Sequence, residues 1–149
     1  HDVAHRWGAE TVQDPTPDAG LNPSLEAAIR SDGDGTLVLA SDLPACSPQD
    51  VAAMIGSPGV QLAPDASGSG TNALWRKPHD AIPLAFGEGS AATHRRLAAE
   101  RGVPFSVLRR PGLALDLDTP ADLKDAWDAA LGPATRAALS ALGFPDRVI

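Results

Sequence analysis

The chain has 149 residues, a net charge of −7 and a single cysteine. That length suits one domain, 1–149, with a core that needs no disulfide staples; the lone Cys46 has no partner for an intrachain bridge, which fits a reducing, cytoplasmic setting. The acidity, offset only by small arginine groups at Arg95, Arg96, Arg101, Arg109 and Arg110, argues against a nucleic acid polymer as partner, and no apolar run approaches the roughly 20 residues of a membrane span.

The opening residues His1-Asp2-Val3 lack the charged-then-apolar pattern of a secretion signal. Ala9 to Gln13 is expected as a short strand, and the Pro- and Asp-rich residues 14–20 as a loop. Asn22-Pro23 reads as a helix cap with proline at the first helical position. That helix runs to about Arg30, with Leu25, Ala28 and Ile29 on one face. After a turn, Thr36–Ala40 is too short for a typical helix and apolar toward both sides, as expected of a central strand in a parallel sheet. It runs out at Asp42, with Pro44 two residues on. Ser47-Pro48 starts a helix to about Ile55. Val60–Ala63 and Thr71–Trp75 are expected strands on either side of a Gly/Ser/Asp loop. Ser90 opens a helix to Arg101, stopped by Gly102. Phe105–Leu108 and Leu113–Leu117 read as strands. Asp118-Thr119-Pro120 begins a helix to about Leu131, with Asp122 complementing its dipole, and a last helix spans about Ala134 to Leu142. Strands alternate with helices, so the class is α/β with a mostly parallel sheet.

Several constellations carry chemistry. Asp42, Asp116 and Asp118 fall at or near predicted strand ends, where open α/β sheets bind ligands. Asp116 and Asp118 share a face if the strand continues between them. Converging carboxylates repel unless a cation joins them, and oxygen-only ligands favour Mg²⁺ or Mn²⁺; a solvated loop Asp42 and a helix-capping Asp118 account for the same spacing. The Gly/Ser loop at 65–70 suits either an anion cradle of backbone amides or an ordinary turn. Gly87-Glu88-Gly89-Ser90 suits an anion at a helix N-terminus or a plain cap, with His94, Arg95 and Arg96 one turn later. Asn22 alone is a helix cap, Cys46 inert packing, and Trp7, Trp75 and Trp127 core or groove wall, Trp127 packing inward.

In order, the chain carries Gly-Leu-Asn-x-x-Leu at 20–25, Ser-Asp-Leu-Pro at 41–44 and Asp-x-x-Gly-x-Gly-Thr-Asn-Ala-Leu at 65–74. Phe-Gly-x-Gly-Ser-x-x-x-His follows at 86–94, and Leu-Asp-Leu-Asp-Thr-Pro-x-Asp-Leu at 115–123. Taken together these motifs resemble the guanylyltransferases of coenzyme F-420 biosynthesis, which act on phosphoenolpyruvate or 2-phospho-L-lactate. The resemblance covers about Thr11 to Leu123. It implies a Rossmann-like, three-layer nucleotidyltransferase fold of the nucleotide-diphospho-sugar transferase type. It implies GMP transfer from GTP to a small phosphorylated acid, with release of pyrophosphate. On the matching positions, Asp42, Asp116 and Asp118 would bind Mg²⁺ or Mn²⁺, Thr71, Gly87 and Ser90 would hold the acceptor, and Asn22 would lie near the nucleotide. The high-GC-like composition tilts the acceptor toward phosphoenolpyruvate. The family's N-terminal strand and its Lys/Arg loop find no match, so the chain is expected to be N-terminally truncated, the last two-thirds of such a domain. Alternatives are a molybdenum-cofactor-type or other nucleotidyltransferase, and a non-catalytic remnant that binds the phosphorylated acid.

Overall fold

The computed structural model describes residues 2–29, 34–128 and 131–145. Its strands are β1 (Thr36–Leu39), β2 (Gly59–Ala63), β3 (Ala73–Lys77) and β4 (Phe105–Val107), in the spatial order β1-β3-β2-β4. The helices are α1 (Asp2–Arg6), α2 (Leu21–Ala28), α3 (Pro48–Met54), α4 (Ser90–Glu100), α5 (Pro111–Ala114), α6 (Pro120–Asp128) and α7 (Pro133–Ala141). Among the described residues, no helix is long and apolar enough to cross a membrane.

The sheet is mixed rather than mostly parallel. β3 runs antiparallel to both β1 and β2, and only β2 and β4 pair in parallel. The physical reason lies between β2 and β3. Residues 64–72 hold no helix, and a parallel return needs a crossover of about a dozen residues or more, so the chain folds back as a hairpin. β1 is correspondingly an edge strand among the described residues, half-buried rather than central, and Leu39 is exposed. β2 holds the middle, buried along its whole length.

Alternation distributes the strand side chains to two buried clusters. Val60 and Leu62 of β2 and Leu74 of β3 join Ile82, Leu84 and Ala98, with Leu25 and Ile29 packed alongside. Ala63, Ala73 and Trp75 face the other way, against Met54 of α3 and Leu113 of α5. Helices therefore cover both faces, α2 and α4 on one and α3 and α5 on the other.

The expected strand at Leu113–Leu117 is instead α5 followed by irregular chain. Pro111 sets a helical φ after the extended Arg110, and a short apolar run has no period that separates strand from helix. Gly112 lets this turn approach α3 and the chain before it, because a Cβ there would collide with the Asp50 carboxylate and stand 2.7 Å from the Ala45 carbonyl. The Ala9–Gln13 strand is absent, and those residues have no regular structure. Trp7 is not core: it is 85% exposed. Trp127 meets Phe144 edge-on at 5.4 Å and lies under Arg136. The ends expected at Arg30 and near Leu131 are replaced by Ala28 and Asp128, and residues 30 and 129–130 lie outside the described residues.

Candidate active site

The C-terminal ends of β1 and β2 and the start of the antiparallel β3 share one edge of the sheet. There the Ala40 amide donates to Asn72 O (2.8 Å) and the Asn72 amide to Ala63 O (2.9 Å), tying three connections into one corner. Asp42 and Asp65 leave this edge just beyond β1 and β2. Asp116 and Asp118 reach it from the chain after α5. The Asn72 side chain, 5% exposed, donates to the carbonyls of Leu113 (3.1 Å) and Ala114 (3.4 Å) and so anchors the segment that carries both. On the far side, Asp122 accepts from the amides of Asp118 (3.0 Å) and Thr119 (2.6 Å), starting α6 immediately after Asp118.

Asp116 registers the convergence. Burial is the main force pushing its carboxyl above the ordinary value, and the charges of Asp118, Asp65 and Asp42 push the same way. Three acids from separate parts of the sequence therefore act on a fourth. The donor set is carboxylate oxygen, which suits a hard divalent cation, and a cation would relieve the mutual repulsion. Among the described residues no three His, Cys, Asp or Glu side chains are gathered closely enough to hold a metal ion. The three acids bear on Asp116 without forming a closed ligand shell.

The Gly/Ser loop after β2 does cradle an anion, but the anion is its own Asp65. The Gly68 amide donates to Asp65 Oδ1 at 2.7 Å and the Ser67 hydroxyl to both carboxylate oxygens. Burial opposes the Asp65 charge, yet the Ser67 hydroxyl and the amides of Gly70, Gly68 and Ser69 outweigh it and hold the carboxyl below its usual range. Gly70 permits the wrap, since a Cβ there would lie 3.0 Å from Asp65 Oδ2. Beside this loop a cavity of about 360 Å³ opens between Pro64–Ala66 and Arg109–Pro111. Arg110 is committed to Asp50 of the α3 capping box, whereas Arg109 is exposed and stands over Gly68.

A second cluster joins Thr71, Ser90 and His94, all buried. The Ser90 hydroxyl donates to Thr71 Oγ1 (3.0 Å), and His94 Nδ1 lies 3.2 Å from the same oxygen. The Ala91 amide donates to Ser69 O (3.0 Å), so the start of α4 and the Asp65 loop are fastened together. Gly87 takes φ 134°, a left-handed backbone that favours glycine, and precedes α4 by one short turn. Arg95 and Arg96 do not join this cluster: Arg95 lies over Phe105 and Arg96 pairs with Glu100.

Asn22 is not the helix cap expected of it. α2 is capped by Gly20, and the Asn22 amide clasps the backbone of Phe86, accepting from its N–H (2.7 Å) and donating to its carbonyl (3.0 Å). One turn on, Glu26 accepts from the Leu84 amide (2.7 Å) and pairs with the buried Arg76, which also donates to Ile82 O. α2 thus holds the strap 82–86 that ends at Gly87. The roles of Asp65, Asn72, Glu26 and Arg76 were missed in the sequence. Two signals were there: Asp65 and Asn72 stand inside the Asp-x-x-Gly-x-Gly-Thr-Asn motif, and Asn22 and Glu26 are four apart on one helix face.

Residues 2–146 match the protein family described as "Guanylyl transferase CofC like". A phosphoenolpyruvate guanylyltransferase of Sphaerobacter thermophilus is 42% identical over 116 residues, covering 73% of this chain and 56% of the relative. One of Geodermatophilus obscurus is 40% identical over 144 residues, covering 94% and 64%. A 3-phospho-D-glycerate guanylyltransferase of Colwellia psychrerythraea is 34% identical over 131 residues, covering 83% and 61%. The chain spans somewhat more than half the length of these relatives.

Proposed function

The chain belongs to the CofC-like guanylyl transferase family, and from that premise we propose that it transfers GMP from GTP to phosphoenolpyruvate in coenzyme F-420 biosynthesis. The observation that carries this reading is the convergence of Asp42, Asp65 and Asp118 on Asp116 at the sheet edge that also presents Thr71. A phosphate oxygen of the acceptor attacks the α-phosphorus of GTP, the bond from that phosphorus to the bridging oxygen breaks, and pyrophosphate leaves. The nucleophile is already an anion, so the protein's work is alignment and charge compensation rather than base catalysis. Asp42, Asp116 and Asp118 would hold Mg²⁺ or Mn²⁺, which supplies neutralisation of the gathered phosphate charge. Thr71, Gly87 and Ser90 hold the acceptor, and Asn22 acts through the strap it clasps. The corresponding fold is the Rossmann-like nucleotidyltransferase, in one domain, in an aqueous cytoplasmic setting that supplies GTP.

The relatives' names favour phosphoenolpyruvate and also admit 3-phospho-D-glycerate. An acceptor panel with GTP and Mg²⁺ separates them. Pyrophosphate release is expected with phosphoenolpyruvate, and more slowly or not at all with 2-phospho-L-lactate and 3-phospho-D-glycerate. A preference for either of those would reassign the acceptor, and binding without turnover would mark a phosphoacid-binding remnant.

A further inference from the structure

His94 is a fully buried titratable group that the transfer chemistry leaves without a task. Its hydrogen bonds fix its state. The Ala85 backbone N–H lies 3.0 Å from Nε2, and an amide N–H can only donate. Nε2 is therefore a lone pair, the imidazole is neutral, and its proton sits on Nδ1. That N–H faces Thr71 Oγ1 at 3.2 Å and donates to it. The Ser90 hydroxyl donates to the same oxygen at 3.0 Å. A hydroxyl oxygen accepts at two lone pairs, and both are now used. The Thr71 proton has no role left inside the cluster and must be given outward.

The cluster is shielded from competition. His94 is 0%, Ser90 2% and Thr71 8% exposed, so water does not replace the inner partners. Phe86 meets the His94 ring edge-on at 5.3 Å and fixes its plane. Burial, and next the positive charge of Arg76, hold the imidazole's pKa down at about 4, so it stays neutral under ordinary conditions.

We propose that His94 is a positioning residue for acceptor binding: with Ser90 it saturates the Thr71 oxygen, so that Thr71 presents a single hydrogen-bond donor to an anionic oxygen of the phosphorylated acid. The inference rests on Thr71 belonging to the acceptor site. It also changes the part played by the Ser90 hydroxyl, whose proton goes to Thr71 rather than to the ligand. The cluster selects a carboxylate or phosphate oxygen over any group that needs an acceptor.

The test is a double-mutant cycle on the protein with GTP, Mg²⁺ and phosphoenolpyruvate. His94→Gln is expected to raise KM for phosphoenolpyruvate roughly three- to tenfold, the range for one lost hydrogen bond. KM for GTP should be unchanged. His94→Asn, which can offer an N–H near the Nδ1 position, should recover part of the loss. In a Thr71→Val background, His94→Gln should have no further effect on phosphoenolpyruvate. An equal effect with and without Thr71, or an equal rise in both KM values, overturns the inference. Nitrogen-15 spectra of the wild-type protein provide a reading free of folding effects. They should show His94 as the Nδ1–H tautomer, and a proton on Nε2 overturns the proposal. If the wild type neither binds nor turns over phosphoenolpyruvate, the functional reading and this inference fall together. If it does and His94→Gln leaves it unaltered, only this inference falls.

Discussion

Asp116 is half-buried and lies in the fields of Asp118, Asp65 and Asp42, so at neutral pH its charge costs the fold stability. Asp116→Asn removes that cost. In the absence of divalent cation it should raise the thermal midpoint slightly, on the order of 1–2 °C. If the corner takes a divalent cation as proposed, Mg²⁺ should raise the midpoint of the wild type and not that of the variant, and a variant midpoint lower than wild type without cation would contradict the crowding. His94 produces the opposite pH dependence. Its folded pKa of about 4 lies below the ordinary 6.5, so between those values the unfolded chain binds the proton and the folded one does not. The stability this group confers is present above pH 6.5 and is lost as pH falls, by about 3 kcal/mol across the window. Urea unfolding from pH 7 to pH 4.5 should show the loss, and His94→Gln should flatten it. The sequence made Asp116 and Thr71 candidates through their motifs. It held no sign of the Thr71–His94 contact, because residues 23 positions apart meet only through the return of α4.

Two helix starts were legible because their chemistry is local. Ser47-Pro48 begins α3 with a capping box completed by Asp50, and Pro120 begins α6 with Asp122 reaching back to Thr119. Strand direction was less legible, since β2 and β3 have the same apolar character in either orientation. The informative feature was the absence of a helix between them, which a parallel pair would require. The turn α5 escaped because its apolar run is too short to carry a period, yet it is what Asn72 holds. Asn72→Leu would leave the Leu113 carbonyl buried without its partner, at a cost of about 1–3 kcal/mol. The effect should also reach the chemistry, lowering kcat more than it raises KM for GTP, because the segment carrying Asp116 loses its anchor. Full activity with reduced stability would show that the anchor is merely structural.

At the scale of the molecule, the site gathers parts that lie far apart in the chain. Segments near 42, 65, 71 and 116 meet at one sheet edge, while α2 fastens the strap that leads to Gly87 from outside the sheet. The order of the motifs was enough to indicate the family. It was not enough to show that the Gly/Ser loop already holds Asp65, or that Asn22 holds Phe86, because those bonds depend on where the backbone turns. Both side chains shape the backbone, Asp65 within its own Gly/Ser turn and Asn22 on the strap that leads to Gly87. Guanylyl transfer to phosphoenolpyruvate at the carboxylate corner, as proposed, requires a divalent cation and Asp116. That requirement is tested most directly by measuring pyrophosphate released from GTP and phosphoenolpyruvate by the wild type and by Asp116→Asn, with and without Mg²⁺. Cation-dependent release by the wild type and a fall of roughly two orders of magnitude or more in the variant are expected; release that is undiminished in Asp116→Asn, or that needs no divalent cation, would contradict the proposed role of the corner.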